Sequence, residues 1–478
     1  MTFTSEAQDR KSGPLAGRLR VLRLQVAHLL TDESEEGHAK RTGLTALVIR
    51  VVAAAIAYAS HVVLARFLGT FEYGIYAYVW VWVTILGPAT TFGMSHSVYR
   101  FVPHYREMKQ EDLIRGFING GSWFVIASAC TVGLVGAGAI YLLRDSLHSY
   151  YVLPFIIGAV LLPLVSMQDY VEGVARSYSW IGTAVAPPFI LRQSLIVVGV
   201  LGVVLLGGPE WATAEMAIVT AIGATVLALC VHIVLVRRRL KAVLPKGPKT
   251  YLFRRWIATS VPILSVDLSQ SLFGYVDILI LSLYWPPDMI AVYFAATRIQ
   301  QLVQFVRYAA TAATAQRYSA NAAKDNQQAQ VALAQATTKW MFWMSLAGGL
   351  FIVAIGHFLL SLFGAEFPAA YPVLVLLIVA MVFQTTCGSA EDLLNMTGHE
   401  RISAAVSVSS VILNLCLNLV FVPVWGIMGA AAATAIAMGL RTTVLGVAAR
   451  NRTGVEVFVW NIPHGKLRWP FGKKAAGE

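Results

Sequence analysis

Long apolar segments alternate with short polar segments along most of the chain. Twelve of these segments are long enough to cross about 30 Å of hydrocarbon as helices that rise about 1.5 Å per residue. They lie near residues 43–66, 74–99, 117–143, 151–171, 180–206, 212–236, 257–283, 288–313, 338–363, 370–395, 402–423 and 426–449. The backbone must satisfy its own hydrogen bonds in lipid, and the short alternating strands of a barrel are absent from the sequence. The pattern therefore predicts an all-α integral membrane protein with about 12 transmembrane helices.

Composition agrees with this class. Of 478 residues, 57% are hydrophobic and only 13% are charged, whereas soluble domains are about half apolar and about a quarter charged. The net charge of +12 would suggest nucleic-acid binding in a soluble protein. Here the basic residues lie in short loops between apolar segments, which is typical of orientation in a membrane. We therefore predict no nucleic-acid partner.

The polar loops alternate in charge. The loop after the sixth segment holds eight basic residues and no acid: Arg237, Arg238, Arg239, Lys241, Lys246, Lys249, Arg254 and Arg255. The loops on the other side hold Glu72, Asp145, Glu210, Glu215, Asp288 and Glu366. Since basic loops stay in the cytoplasm, this alternation predicts a multi-pass protein with cytoplasmic N- and C-termini.

The long basic loop also divides the chain into two halves. It predicts an N-terminal six-helix lobe over residues 42–236, a basic cytoplasmic linker over 237–256 and a C-terminal six-helix lobe over 257–450, arranged around a central cavity. Residues 1–41 are predicted to be a cytoplasmic segment. Within it, the apolar spacing of residues 14–30 fits an amphipathic helix on the membrane surface or an ordinary docked helix equally well. Residues 451–478 are predicted to be a cytoplasmic tail.

Ionisable and amide side chains inside the apolar segments mark a candidate binding site, because such groups are costly in lipid. The predicted binding residues are Arg50, His61, Arg192, Arg298, Gln301 and Gln304. An arginine far from the membrane surface needs water or an anion, and guanidinium groups match phosphate oxygens in bidentate geometry. The alternative is that polar side chains join neighbouring helices. We favour that alternative for the stripe formed by Ser407, Ser410, Asn414 and Asn418.

Two aspartates, Asp267 and Asp277, lie on one predicted face of the seventh segment. They are candidates for ion coupling or gating. They could pair with the cavity arginines, bind a proton or cation, or form permanent structural ion pairs. The four cysteines lie in apolar segments without metal-binding spacing, so we predict no disulfide, no metal site and no cofactor. No catalytic motif is present, and we do not predict an enzyme.

Three motifs in the chain carry a resemblance to a known protein family. The first is Arg66-Phe-Leu-Gly-Thr-Phe-Glu-Tyr-Gly-Ile-Tyr76, and a second joins Tyr275-Val-Asp277 to Ile290-Ala-Val-Tyr293. The most specific is Leu393-Leu-Asn-Met-Thr-Gly398, followed by Asn414-Leu-Cys-Leu-Asn418, Pro423 and Gly426-Ile-Met-Gly429. This order of a paired-Asn helix, a proline and a glycine-rich turn is similar to that of bacterial polysaccharide-repeat flippases, the Wzx-type members of the multidrug/oligosaccharidyl-lipid/polysaccharide exporter superfamily.

This resemblance covers about residues 42–450 and implies a function. It implies a flippase in the bacterial cytoplasmic (inner) membrane that works by alternating access. Such a flippase moves undecaprenyl-pyrophosphate-linked oligosaccharide repeat units of a surface polysaccharide or exopolysaccharide to the outer leaflet. A polysaccharide polymerase and a chain-length regulator are the implied protein partners, alongside membrane lipid. The roles of the arginines rest on helical faces and not on the resemblance. Arg50 and His61 share one predicted face of the first segment, and Arg298 borders a polar stripe on the eighth segment that includes Gln301 and Gln304.

Three alternatives stay open from the sequence. A multidrug or small-cation exporter of the same superfamily would favour acidic cavity residues. A membrane polymerase or glycosyltransferase would need a long extramembrane loop with clustered carboxylates or basic residues. A non-transporting scaffold of a polysaccharide assembly system would keep export intact after the cavity arginines are neutralised.

Overall fold

The computed structural model describes residues 35–304, 327–388, 390–454 and 457–460. These residues form helices joined by short loops and include no strand, so the predicted all-α membrane class is confirmed. The predicted surface helix over residues 14–30 lies outside the described residues, as does the tail after residue 460.

Fourteen α-helices follow one another through the described residues. In the first half they are α1 (Glu35–Thr91), α2 (Met94–Glu107), α3 (Glu111–Leu142), α4 (Ser149–Gly158), α5 (Leu161–Ser177), α6 (Ile181–Val185), α7 (Arg192–Gly207) and α8 (Ala214–Val243). In the second half they are α9 (Phe253–Tyr284), α10 (Pro287–Gln300), α11 (Gln327–Ser361), α12 (Tyr371–Gln384), α13 (Ala390–Met396) and α14 (Glu400–Thr453). A π-helix, Ala186–Leu191, joins α6 to α7, and short 3₁₀ turns lie at Pro209–Trp211, Gln301–Val303, Phe367–Ala370 and Thr385–Cys387.

The two longest helices reverse direction at a glycine. Twelve residues would separate His61 and Tyr73 by about 18 Å along a straight helix, yet the Tyr73 hydroxyl lies 3.2 Å from His61 Nδ1. The reversal falls at Gly69, whose φ of 76° suits glycine. A second reversal at Gly426, with φ 56°, divides α14 in the same way. Each long helix therefore holds two of the predicted segments in antiparallel order.

Each predicted transmembrane segment coincides with helix as far as the structure describes it. Eight helical stretches of the described chain are long and apolar enough to cross a membrane, or nine when α4 and α5, bent by 40° at their junction, count as one. Two of these stretches contain the reversals described above. The eighth predicted segment is helical up to Gln304, and its remainder lies outside the described residues.

The loops gather at two ends of the bundle, as their charges predict. At one end, which we call the acidic end, Glu72 accepts a hydrogen bond from the Ala214 amide at 2.7 Å, and Thr70 donates to Asp288 at 2.7 Å. At the other, which we call the basic end, Arg115 donates to the carbonyl oxygens of Pro245 and Pro248 at 2.8 and 2.9 Å.

Helix α9 contacts both of the predicted lobes. The non-helical connection covers residues 244–252, which is shorter than the predicted linker of 237–256. The first turns of α9 pack on the first lobe, where the indole nitrogen of Trp256 donates to the Tyr105 hydroxyl at 3.1 Å. Buried Phe273 and Asp277, near the other end of α9, contact helix α14 instead. Helix α9 therefore connects both lobes.

Candidate functional site

A cavity of about 530 Å³ lies between the two lobes. All six predicted binding residues line it: Arg50, His61, Arg192, Arg298, Gln301 and Gln304. Helices α1, α5 and α7 supply its wall from the first lobe, and α9, α10 and the turn after α10 supply it from the second. The polar helix faces predicted from the sequence therefore line one common cavity, as a binding site between two lobes requires.

The reversals at Gly69 and Gly426 divide α1 and α14 into two arms each. The first arm of α1, before Gly69, forms one side of the cavity. Arg50, Ala54, Ala57 and His61 recur at intervals of three or four residues, so they share one face of the helix, and all four line the cavity. The alanines leave room in the middle of this face. The eleven residues from Arg50 to His61 span about 16 Å, so the cavity extends over about half the hydrocarbon thickness.

Arg192 enters the cavity where the helical path is distorted. It is the first residue of α7, directly after the π-helix that contains Pro187 and Pro188. Prolines lack an amide hydrogen, and π-turns often occur at functional sites. Arg192 is only 9% exposed. It donates through Nη1 to Gln168 Oε1 at 2.9 Å and lies 5.3 Å from the ring centre of Trp80. Its Nε has no hydrogen-bond partner among the described residues.

Arg298 occupies the opposite wall in a similar aromatic setting. Its guanidinium carbon lies 4.1 Å from the ring centre of Phe294, close enough for a cation–π contact. Nη1 donates to Gln301 Oε1 at 3.2 Å, and Nη2 donates to the Tyr275 hydroxyl at 3.4 Å. Its Nε, like that of Arg192, is buried and unpartnered within the described chain. Both arginines are thus held by neighbours while keeping one donor unused.

Four aromatic side chains close the cavity toward the acidic end. We call Tyr73, Phe294, Phe363 and Phe367 the aromatic plug; all four are at most 1% exposed. The ring of Tyr73, from the first lobe, lies 6.1 to 6.5 Å from the other three rings, which belong to the second lobe. His61 ends the cavity against this plug through its contact with the Tyr73 hydroxyl. The lobes are therefore in close contact on this side.

Hydrogen bonds across the lobes reinforce the plug. The Tyr58 hydroxyl donates to the carbonyl of Leu359 at 2.8 Å. Arg66 donates to the carbonyls of Leu362 and Ser361 at 2.6 and 3.1 Å, at the carboxyl end of α11. Carbonyls at a helix end lack partners within the helix, and a cation there is favourable. The acidic end is thus closed by both apolar and polar contacts.

An acidic residue that the sequence analysis missed also lines the cavity. Asp169, on α5, lies in the cavity wall one residue after Gln168, the partner of Arg192. One turn further, Glu172 and Arg176 form an ion pair. The signal was present in the sequence, since Asp169 is an ionisable residue inside a predicted apolar segment. The cavity therefore contains three guanidinium groups and one carboxylate among its described lining.

The two candidate aspartates of α9 lie outside the described lining of the cavity. Asp267 pairs with His96 of α2, with 2.8 Å between the carboxylate and Nδ1. Asp277 is 3% exposed and accepts hydrogen bonds from Tyr293 and from Thr434, the latter at 3.4 Å. Pairing with the cavity arginines, one of the sequence-based alternatives, is not the arrangement observed. The reason is that the two ends of α9 pack on different lobes.

Within the polar stripe of α14, Asn414 joins two helices, which is the role favoured from the sequence, while Ser410 and Asn418 form hydrogen bonds within α14 itself. Asn414 donates to the Phe273 carbonyl of α9 at 3.4 Å. Asn418 donates to the carbonyl and side-chain oxygens of Asn414, both at 2.9 Å. Thr434, on the second arm of α14, donates to Asn414 Oδ1 at 3.5 Å. Together with Asp277 they form a buried polar cluster within the second lobe.

Comparison with known proteins gives two family matches and one curated relative. The sequence model of the family described as polysaccharide biosynthesis protein matches residues 40–315, and that of the MatE family matches residues 262–420. A probable low-salt glycan biosynthesis flippase, Agl15 of Haloferax volcanii, is 26% identical over 176 residues. That alignment covers 36% of this chain and 37% of the relative, so it spans little more than a third of either protein.

Solved structures share the fold at low sequence identity. An inward-facing multidrug resistance MATE family transporter superimposes with a TM-score of 0.68 at 15% identity, covering 85% of this chain and 98% of that one. The lipid II flippase MurJ, in an inward closed conformation, gives 0.65 at 14% identity, covering 85% and 87%. An outward-facing MATE family transporter gives 0.57 at 16% identity, covering 89% and 97%. Since the polysaccharide biosynthesis match covers more than half of the chain, this protein belongs to the polysaccharide biosynthesis protein family and has the all-helical fold of MATE and MurJ transporters.

Proposed function

We propose that this protein is a flippase for lipid-linked oligosaccharides. In this proposal it moves undecaprenyl-pyrophosphate-linked repeat units from the cytoplasmic to the outer leaflet of a bacterial inner membrane. The observation that supports it most directly is the cationic cavity between the lobes, with Arg50, Arg192 and Arg298 in its wall. The family match and the flippase relative support the same assignment.

The chemistry of the cavity suits a pyrophosphate head group. Three guanidinium groups against the single carboxylate of Asp169 leave a formal charge of +2 on these four residues. Arg192 and Arg298 each keep a buried Nε donor without a partner among the described residues, and the charge-assisted hydrogen bonds that guanidinium groups form with phosphate are strong. Gln301 and Gln304 add amide groups that can bind phosphate or sugar hydroxyls. The isoprenoid chain would stay in the lipid.

The asymmetry of the lobe contacts supports transport by alternating access. The aromatic plug and the Arg66 bonds close the acidic end, while the cavity lies on the basic-end side of the plug. If the basic end faces the cytoplasm, as the loop charges predict, this is an inward-facing state. The TM-score of 0.68 with the inward-facing MATE transporter is higher than the 0.57 with the outward-facing one, which supports that inference. In this orientation both termini are cytoplasmic. A polymerase and a chain-length regulator in the same membrane would be the protein partners.

We also propose that the buried polar cluster of α9 and α14 contributes to ion coupling. Asp277 supplies a carboxylate with 3% exposure, and Asn418 Oδ1 is a buried acceptor without a partner among the described residues. Carboxylate and amide oxygens such as these are suitable ligands for a hard cation. The carboxylate of Asp277 can alternatively bind a proton. Asp267, paired with His96, is the corresponding candidate for gating, because its contact holds α9, which continues into the second lobe, against α2 of the first lobe.

Binding and export measurements on matched arginine variants test the head-group site. Arg192→Gln and Arg298→Gln each remove a charge-assisted contact, which is worth about 1.5–3 kcal/mol or roughly 10- to 150-fold in affinity. The readout is binding of labelled undecaprenyl pyrophosphate to purified protein in nanodiscs, followed by export of surface polysaccharide in a deletion strain. Arg144→Gln is the control, because Arg144 is half-exposed beside Asp145 at the acidic end. Equal loss in the control, or no loss in the cavity variants, would refute the assignment.

Export of organic cations is the second candidate function. Asp169 and the rings of Trp80 and Tyr275 favour it, because a carboxylate and aromatic faces bind cations. The arginines of the same cavity oppose it by repulsion. Competition between labelled undecaprenyl pyrophosphate and ethidium on the purified protein decides between them. Tighter binding of ethidium, lost in Asp169→Asn and kept in Arg192→Gln, would reverse the assignment.

A further inference from the structure

A second cavity, also about 530 Å³, lies away from the arginine cavity on the side of the first lobe. We call it the lateral groove. It lies between the second arm of α1, helices α3 and α4, and the last residues of α9, Ser282 and Leu283. Its volume is in the range of small-molecule sites, about 300–1,000 Å³. Leu147 and Leu283, which line it, are 41% and 67% exposed, so the groove borders the surface that faces lipid.

The lateral groove changes in polarity along its length. The polar side chains Ser146, His148 and Tyr151 lie at or next to the loop between α3 and α4, at the acidic end. The rest of the lining is mainly apolar and includes Leu86 and Phe155. A lipid in a bilayer has the same order, with polar ester and head groups at the interface and hydrocarbon beneath.

Tyr151 lines the groove and carries a buried hydroxyl. Its side chain is 6% exposed and packs against Tyr78 and Phe155, with ring centres 5.1 and 6.0 Å away. Its hydroxyl has no hydrogen-bond partner in the described part of the chain. A buried hydroxyl without a partner is unfavourable, because it gave up its bonds to water on burial. A ligand with an acceptor oxygen at this place would remove that penalty.

Glycines give the groove its depth. Gly133 and Gly136 of α3 and Gly158 of α4 line it. A Cβ added at Gly136 would meet no atom within 4 Å, so the space beside this helix is open. A Cβ at Gly158 would instead collide with Val79, which shows that α4 approaches α1 closely at the base of the groove. The missing side chain at Gly136 therefore leaves open space beside α3, whereas at Gly133 an added Cβ would lie 3.1 Å from the Ala159 carbonyl oxygen, so α3 is in close contact with the neighbouring backbone there.

We propose that the lateral groove binds a phospholipid, with an acyl chain along its apolar part and an ester carbonyl accepting the hydrogen bond from Tyr151. The groove borders the hydrocarbon of the bilayer, so lipid acyl chains are the molecules that can enter it. No lysine or arginine is found in the described lining. A pyrophosphate-linked lipid, which the arginine cavity suits, is therefore a poor match here. The neutral donors of the groove match ester oxygens.

Such a lipid would contact both lobes. Most of the groove belongs to the first lobe, but Ser282 and Leu283 belong to the part of α9 that packs with the second lobe. A ligand that binds only one arrangement of the lobes stabilises that arrangement. The bound phospholipid would thus favour the state in which the acidic end is closed. This inference depends on the membrane fold and not on the identity of the transported substrate.

Photo-crosslinking tests the proposal directly. The purified full-length protein is placed in nanodiscs containing phosphatidylglycerol with a diazirine in its acyl chain, and the labelled peptides are identified by mass spectrometry. We expect label within residues 132–162. Gly136→Leu fills the groove and should reduce this label at least tenfold, whereas Gly138→Leu should not. Gly138 is the matched control, because it lies on the same helix, outside the groove lining, and an added Cβ there also meets nothing within 4 Å.

A second variant makes the test independent of the glycine substitutions. Tyr151→Phe removes only the hydroxyl and should weaken labelling roughly three- to tenfold, the value of one hydrogen bond. Equal labelling of wild type, Gly136→Leu and Tyr151→Phe would overturn the proposal. So would displacement of the label by undecaprenyl pyrophosphate in the Arg192→Gln variant, since the groove would then hold the isoprenoid lipid.

Discussion

Removing the Phe363 ring should open the acidic end. Phe363 is fully buried and lies 5.5 Å from the ring of Tyr58 and 6.5 Å from that of Tyr73, both on the opposite lobe. Aromatic pairs of this kind are worth about 0.5–1.5 kcal/mol each beyond the area they bury. Lipid also gives apolar side chains little hydrophobic reason to associate, so packing contacts carry most of the energy.

The Phe363→Ala substitution removes both pairs, and we expect the closed state to lose about 1–3 kcal/mol. This loss corresponds to a shift of roughly 5- to 150-fold toward states open at the acidic end. Contacts of Phe363 within its own lobe, such as that with Phe367 at 5.4 Å, are lost in both states and do not enter the difference. The shift is therefore smaller than the total cost of truncating a buried ring.

Distances between spin labels at residues 71 and 289 would measure this shift. Phe71 and Met289 are 37% exposed and lie on opposite lobes at the acidic end. Phe358→Ala is the control, because Phe358 is 63% exposed on α11 and contributes no buried ring. We expect Phe363→Ala to add a population with a longer distance and the control to leave the distribution unchanged. An unchanged distribution in Phe363→Ala would refute the view that the plug holds the lobes together.

Three further predictions concern other parts of the molecule. Gly74→Ala should lower the melting temperature strongly, because a Cβ there would collide with the Pro287 carbonyl; Gly202→Ala, with open space around it, should change little in the same thermal-shift assay. Asp277→Asn should abolish any dependence of flipping on sodium or proton gradients in proteoliposomes, and an unaltered dependence would exclude its proposed role in ion coupling. Asp169→Asn should tighten binding of undecaprenyl pyrophosphate, because it removes a negative charge from the cavity wall; weaker binding would contradict the proposed electrostatics.

The sequence by itself determined the helices, their approximate ends and the faces that carry Arg50, His61 and Arg298. The reason is physical and local: in lipid each segment must satisfy its own backbone hydrogen bonds, so length and polarity along the chain decide where helices lie. Polar groups in these segments avoid lipid, so the helical repeat indicates which face turns inward. Asp169 is also an ionisable residue inside a predicted apolar segment, so the same argument could have identified it as a residue that faces the cavity.

Only the tertiary structure decided which of these faces meet. The pairing of Asp267 with His96 depends on α9 packing against the first lobe over its initial turns, and the plug around Phe363 depends on helices of different lobes approaching at the acidic end. The lateral groove depends on the distances between α1, α3 and α4 beside Gly136. Such contacts join residues that are tens to hundreds of positions apart. Their existence depends on how the helices cross, which no local pattern of apolar and polar residues specifies.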